Sequence, residues 1–111
     1  MVLLEMKLKK VLGSKTAALD EAVANLDLSS VHRKHAAERM KANDLKGAER
    51  AFMLEALLIA EAHLNIGIYH SVYGLPEKAR EHLNTARSVF IEQKDHGIAK
   101  QITRYMSALG L

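Results

Sequence analysis

The chain has 111 residues, with 16 Lys plus Arg against 13 Asp plus Glu and a formal charge of +3. That length holds one domain, and a hydrophobic share of 49% supplies a packed core, which excludes wholesale disorder. Ala and Leu, 16 of each, far outnumber Val, Ile, Tyr and Phe, and one Pro with six Gly leaves few turns. A sandwich or barrel is therefore excluded, and a few long helices are expected. With no Cys there is no disulfide, thiolate nucleophile or cysteine-ligated zinc.

In chain order, Val2, Leu3 and Met6 fall at helical spacing, and Leu4, Leu8, Val11 and Leu12 widen the apolar face of a first helix. Glu5, Lys7, Lys9 and Lys10 break that stretch, which rules out a membrane span or signal peptide there and predicts a cytoplasmic protein. Gly13 ends the helix and Ser14 is the candidate N-cap of a second, in which Leu19, Ala22, Val23 and Leu26 form a stripe. Asp27 to Ser30 reads as a polar break, with Ser29 or Ser30 capping a third helix over 31–42 that stops at Asn43. Asp44 then caps the stretch Leu45 to Tyr73, which periodicity allows as one long helix or as two joined by a tight turn. After Gly74, Pro76 suits a first helical turn, and Ala79, Leu83, Ala86 and Phe90 share one face up to about Lys94. Asp95, His96 and Gly97 read as a break before a last helix, 98–109, with Ile98, Ile102, Tyr105 and Leu109 preceding Gly110. The expectation is an all-α chain of about six helices.

Leu64 to Phe90 resembles a tetratricopeptide repeat. Ile66 and Gly67 match the large-residue–Gly pair of the family's first helix, Gly74 its turn, and Ala79, Leu83 and Ala86 the small–large–small order of its second helix. His70 stands where the family has an aromatic, and Ile91 where it has a closing Pro. A fainter upstream copy places Ala36, Asn43, Ala48 and Phe52 in the same roles, offset by 31 residues against a family period of about 34. The resemblance implies a short stacked array of antiparallel hairpins over residues 30–109, with residues 1–28 as N-terminal helices that cap it or dimerise. It also implies a groove lined by the first helices: Arg33, Ala37, Met40 and Lys41 upstream, and Glu61, Leu64, Asn65, Ile68, Ser71 and Val72 downstream. Such a groove suits an apolar peptide or helix carrying acidic residues. The family's carboxylate clamp is not expected, because Ala37 stands where it needs Asn.

Sites of chemistry are sparse. His32 and His35 are three apart, yet Arg33 and Lys34 between them oppose a cation, and His63 and His70, two turns apart, are too distant to share one and read as hairpin lining. Arg87 and His96 lie nine apart, too far for the Arg–His element of helical RNA-cleaving domains. No catalysis, metal or cofactor is expected. The leading expectation is an adaptor domain that binds another protein. The alternative is a bundle that binds nucleic acid through its first 50 residues, which carry 10 basic and 7 acidic side chains. The broad apolar face of the first helix, too wide for one neighbour, points either to wrapping of the hairpins or, preferentially, to a homodimer.

Overall fold

The computed structural model describes residues 3–111 as five helices: α1 (Leu3–Gly13), α2 (Ala17–Lys41), α3 (Leu45–Tyr73), α4 (Pro76–Glu92) and α5 (His96–Leu109). The sixth helix is absent from this set because the break at Asp27–Ser30 does not form, so α2 runs straight through residues 28–30, where the capping and repeat segments were to divide. Those four residues contain neither Gly nor Pro, and the hydroxyl of Ser29 is satisfied within the helix by donating to the Leu26 carbonyl at 2.7 Å. Ser29 is no cap but a buried residue on the face of α2 formed with Ala18, Ala22 and Ala36. That seam of small side chains lets α2 and α3 lie close along their length. It also turns Val23 and Leu26, expected in the core, to the surface.

Residues 45–73 form one helix, so the upstream copy has no second helix of its own, and Phe52, its expected large residue, is exposed. α3 is long and apolar enough to cross a membrane by composition; here it is the central helix, packed against α1, α2 and α4.

The helix ends follow from local chemistry. Asn43 takes the left-handed conformation at φ 59°, and the Asp44 side chain accepts from the Gly47 amide at 3.0 Å. Ser14 caps nothing through its side chain; its carbonyl accepts from the Ala17 amide, and Thr16 holds the N-cap position. Pro76 opens α4 as expected. The following break comes earlier than expected, at Gln93 to Asp95, because Lys94 turns left-handed at φ 63° and Asp95 caps α5 by accepting from the Ile98 amide. His96 and Gly97 therefore begin α5.

The core gathers Leu64 and Ile68 of α3, Leu83, Ala86 and Phe90 of α4, and Ala99, Ile102 and Met106 of α5. A Cβ on Gly67 would lie 2.7 Å from two side-chain carbons of Leu83, so α3 and α4 meet closely there. α1 covers this core with Leu4 and Val11, and Leu3 and Leu8 pack at its edge. α1 thus buries Leu4 and Val11 by wrapping the hairpin, whereas Met6 and Leu12 of the same broad face stay 46% and 61% exposed; Val2 lies outside the described residues. Between residues 19 and 56 nothing joins this cluster; the buried side chains there are small, Ala22, Ser29, Ala36, Ala48 and Ala51. The distal parts of α2 and α3 therefore form a two-helix arm, and the molecule measures 47 × 27 × 25 Å.

Candidate functional site: the groove between α2 and α3

Two helical stripes face each other along one side of the arm. On α2 it runs Glu21, Asn25, Leu28, His32, His35, Arg39, at alternating steps of four and three; on α3 it runs Lys46, Arg50, Leu54, Leu57, Glu61. The end of this groove nearest the core is acidic and amidic, and it is occupied by α1. Lys7, only 5% exposed, donates from Nζ to Glu21 Oε2 at 3.1 Å, Glu61 Oε1 at 3.0 Å and Asn65 Oδ1 at 2.8 Å. Asn65 in turn donates to Asn25 at 2.8 Å, so every group around the buried ammonium has a partner. Burial would push the Glu21 carboxyl up, but hydrogen bonds from Lys10 and Lys7 outweigh it and hold it below the usual carboxylate value. The hydrogen bond to Glu21 raises Lys10 in the same exchange.

The distal end is open and basic. A cleft of about 440 Å³ is lined by His32, His35, Arg39, Asp44, Lys46, Gly47, Arg50, Ala51 and Leu54. Asp44 is spoken for, since it caps α3 and pairs with Arg39 at 3.2 Å. Residues 31–50 carry six basic side chains (Arg33, Lys34, Arg39, Lys41, Lys46, Arg50) and three acidic ones (Glu38, Asp44, Glu49), which accounts for the whole formal excess of +3. A basic surplus therefore sits at the tip of the arm, while on the first helix, which carries Lys7, Lys9 and Lys10 against Glu5, Lys7 and Lys10 are paired.

The groove residues expected from the sequence divide in two. Arg33, Ala37, Met40 and Lys41 are exposed on the arm. Leu64, Asn65 and Ile68 are buried at no more than 1% exposure beneath α1, Glu61 is tied to Lys7, Ser71 bonds to Tyr105 and the Ile68 carbonyl, and Val72 packs on the core. The downstream half is thus no open groove. It is filled by the chain's own first helix, because a long α3 needs cover on that side. The two halves are not brought together either: Lys41 lies beside the start of α3, and Glu61 is sixteen residues further along it, about 24 Å at 1.5 Å per residue.

A second cluster lies between α3 and α4. His63 and His82 face each other Nδ1 to Nδ1 at 2.9 Å, with ring centroids 5.2 Å apart, and His70 stacks on His82 at 6.0 Å. His63 and His70 line the hairpin as expected; His82 supplies the partner that spacing along one helix could not reveal. Only one proton fits between the two facing nitrogens, so this pair cannot be doubly protonated in place. Burial lowers all three imidazoles, with His82 adding to the effect on His63, Lys78 on His70, and both His70 and Lys78 on His82, while Glu81 opposes it at His63 and His82. The unfolded chain therefore binds these protons more readily than the folded one. Stability should be level above about pH 7.5 and fall as pH drops through about 6.5, the ordinary histidine value. Urea midpoints between pH 8 and pH 5 check this, and a His63→Gln/His82→Gln chain should show a shallower fall.

Among the described residues no group of three His, Asp or Glu side chains is placed to hold a metal ion. The fold and groove define a class, a small all-α domain built on a helical arm. No protein family, curated protein or solved structure matches the chain.

Proposed function

We propose that the chain is a non-catalytic, cytoplasmic interaction domain whose α2/α3 groove receives a helix or peptide of another protein. The observation that carries this reading is that the groove already accepts one helix, α1, over part of its length and continues open beyond it. Amphipathic helices seated between two others are a recurrent mode of recognition. The tetratricopeptide-like reading of α3 and α4 belongs to the same proposal. It is supported by the close approach of Gly67 to Leu83 and by buried Ala79 and Ala86 on the facing helix.

A photo-crosslinking residue at Leu54, on the cleft wall, should give a discrete protein adduct in the native host. The same residue at exposed Ser88 on α4 should give none. Equal labelling from both positions, or from neither, counts against the groove. The six basic residues of the arm favour a second reading, nucleic-acid binding. It requires an affinity that falls steeply between low and moderate salt.

A further inference from the structure

The groove changes character along its length in a way that specifies its occupant. Near the core its walls present Glu21, Glu61 and Asn65, and the helix seated there answers with a lysine ammonium. Further out, Leu54 lines the open cleft at 37% exposure, and Leu28, 48% exposed, shares an α2 face with Asn25 and His32 by helical spacing. At the tip the walls become cationic, with Arg39, Lys46 and Arg50 around the cleft and one carboxylate, Asp44, already paired to Arg39. Resting on the function proposed above, we infer that the open part binds an acidic amphipathic helix of a partner protein, laid in line with α1.

Its apolar side chains cover Leu28 and Leu54, and its carboxylates meet Lys46 and Arg50. The charge logic is that of α1 inverted: an acidic floor holds a lysine-bearing helix, and a basic floor holds a carboxylate-bearing one. Length agrees as well. From Leu28 to Lys41 the α2 wall spans 14 residues, about 20 Å, which matches a helix of three to four turns. A bare polyanion does not use the apolar middle of the groove, so this site distinguishes a helix with a Leu stripe from simple negative charge.

The test uses the full chain and three fluorescein-labelled 16-residue helical peptides with one shared Leu stripe. Their remaining exposed positions are Glu, Gln or Lys, and anisotropy reads binding at physiological salt. The Glu peptide should bind at least tenfold more tightly than the Gln peptide, and the Lys peptide should not bind. Lys46→Glu/Arg50→Glu should weaken the Glu peptide at least tenfold while leaving the helical circular dichroism of the protein unchanged. Leu54→Lys should weaken it similarly. Equal binding of the Glu and Gln peptides overturns the charge assignment and leaves the groove reading standing. Failure of all three peptides removes both. Binding that survives the charge reversal, or a polyglutamate without Leu that binds equally well, overturns the inference. So does a single-stranded oligonucleotide that binds the arm where the Glu peptide does not.

Discussion

Replacing Gly67 by Leu should lower the stability of the chain by about 3 kcal/mol, the upper part of the range for overpacked cores. A Cβ at this position would sit 2.7 Å from Cγ and Cδ2 of Leu83 and 3.2 Å from its backbone nitrogen. Leu83 has nowhere to move, since it is fully buried between Gly67 and the rest of the core. The helix itself would gain about 1 kcal/mol from losing a mid-helix glycine, so even Gly67→Ala tests which effect wins. Crowding should win, because the nearest side-chain carbons are a branch point and its methyl, not the end of a long flexible chain. Ala79→Leu, at a fully buried position on the facing helix, should cost about 1–3 kcal/mol by the same route. Urea unfolding followed by circular dichroism measures all three. Midpoints unchanged from the parent chain would mean that α3 and α4 do not approach as closely as the packing requires.

The readability of this fold in its sequence follows from which signals are local. Asn43, Asp44, Pro76 and Gly110 act within one turn of themselves, and each marks a helix end in the structure. Ala79, Leu83, Ala86 and Phe90 repeat at helical spacing on a short helix with one dominant neighbour, and all four are buried. Asp27–Ser30 misled for the opposite reason: polar residues mark a break only if the helix has nothing to continue along. Here α3 offers a full-length neighbour, and a seam of small residues, displaced by one position from the larger apolar stripe, decides which face turns inward.

The groove was the least legible feature. Its upstream residues Arg33, Ala37, Met40 and Lys41 do lie exposed on the arm, but the open cleft is lined by His32, His35, Arg39, Lys46 and Arg50. Residues 64, 65 and 68 have the spacing of a binding face, but Leu64 and Ile68 belong to the core and Asn65 accepts from Lys7 of α1 in the same chain. One signal for this was present. Lys7 lies three residues after Leu4 and four before Val11, on the stripe that those two bury. A lysine at an apolar position of an amphipathic helix asks for buried acceptors, and Glu61 and Asn65, one turn apart on α3, supply two of them. The His63–His82 meeting had no such signal, because neither residue interrupts a pattern on its own helix.

Lys7→Met should rank with Gly67→Leu among the most damaging single changes, destabilising by about 2–4 kcal/mol. The ammonium is held by three acceptors from two helices, and its removal leaves Glu21 and Glu61 facing each other across the groove with no cation between them. Full loss of a buried pair would fall at the top of that range. The two carboxylates keep side-chain exposures of 32% and 35%, and Lys10 still reaches Glu21 at 2.9 Å, so water and the second lysine recover part of it. Lys7→Met/Glu61→Met should then regain stability over the single variant, because the stranded charge is replaced by an apolar pair of similar size. The effect should be local before it is global. With Leu4 and Val11 as its main remaining anchors, α1 should lose amide protection first in hydrogen exchange, ahead of α3 and α4. That order ties stability to the function proposed for the groove: an undocked α1 frees Glu21, Glu61 and Asn65, the polar end of the same groove. If α1 in the Lys7→Met chain exchanges as slowly as in the parent, its seat is purely apolar and the buried ammonium does not set the occupancy of the groove.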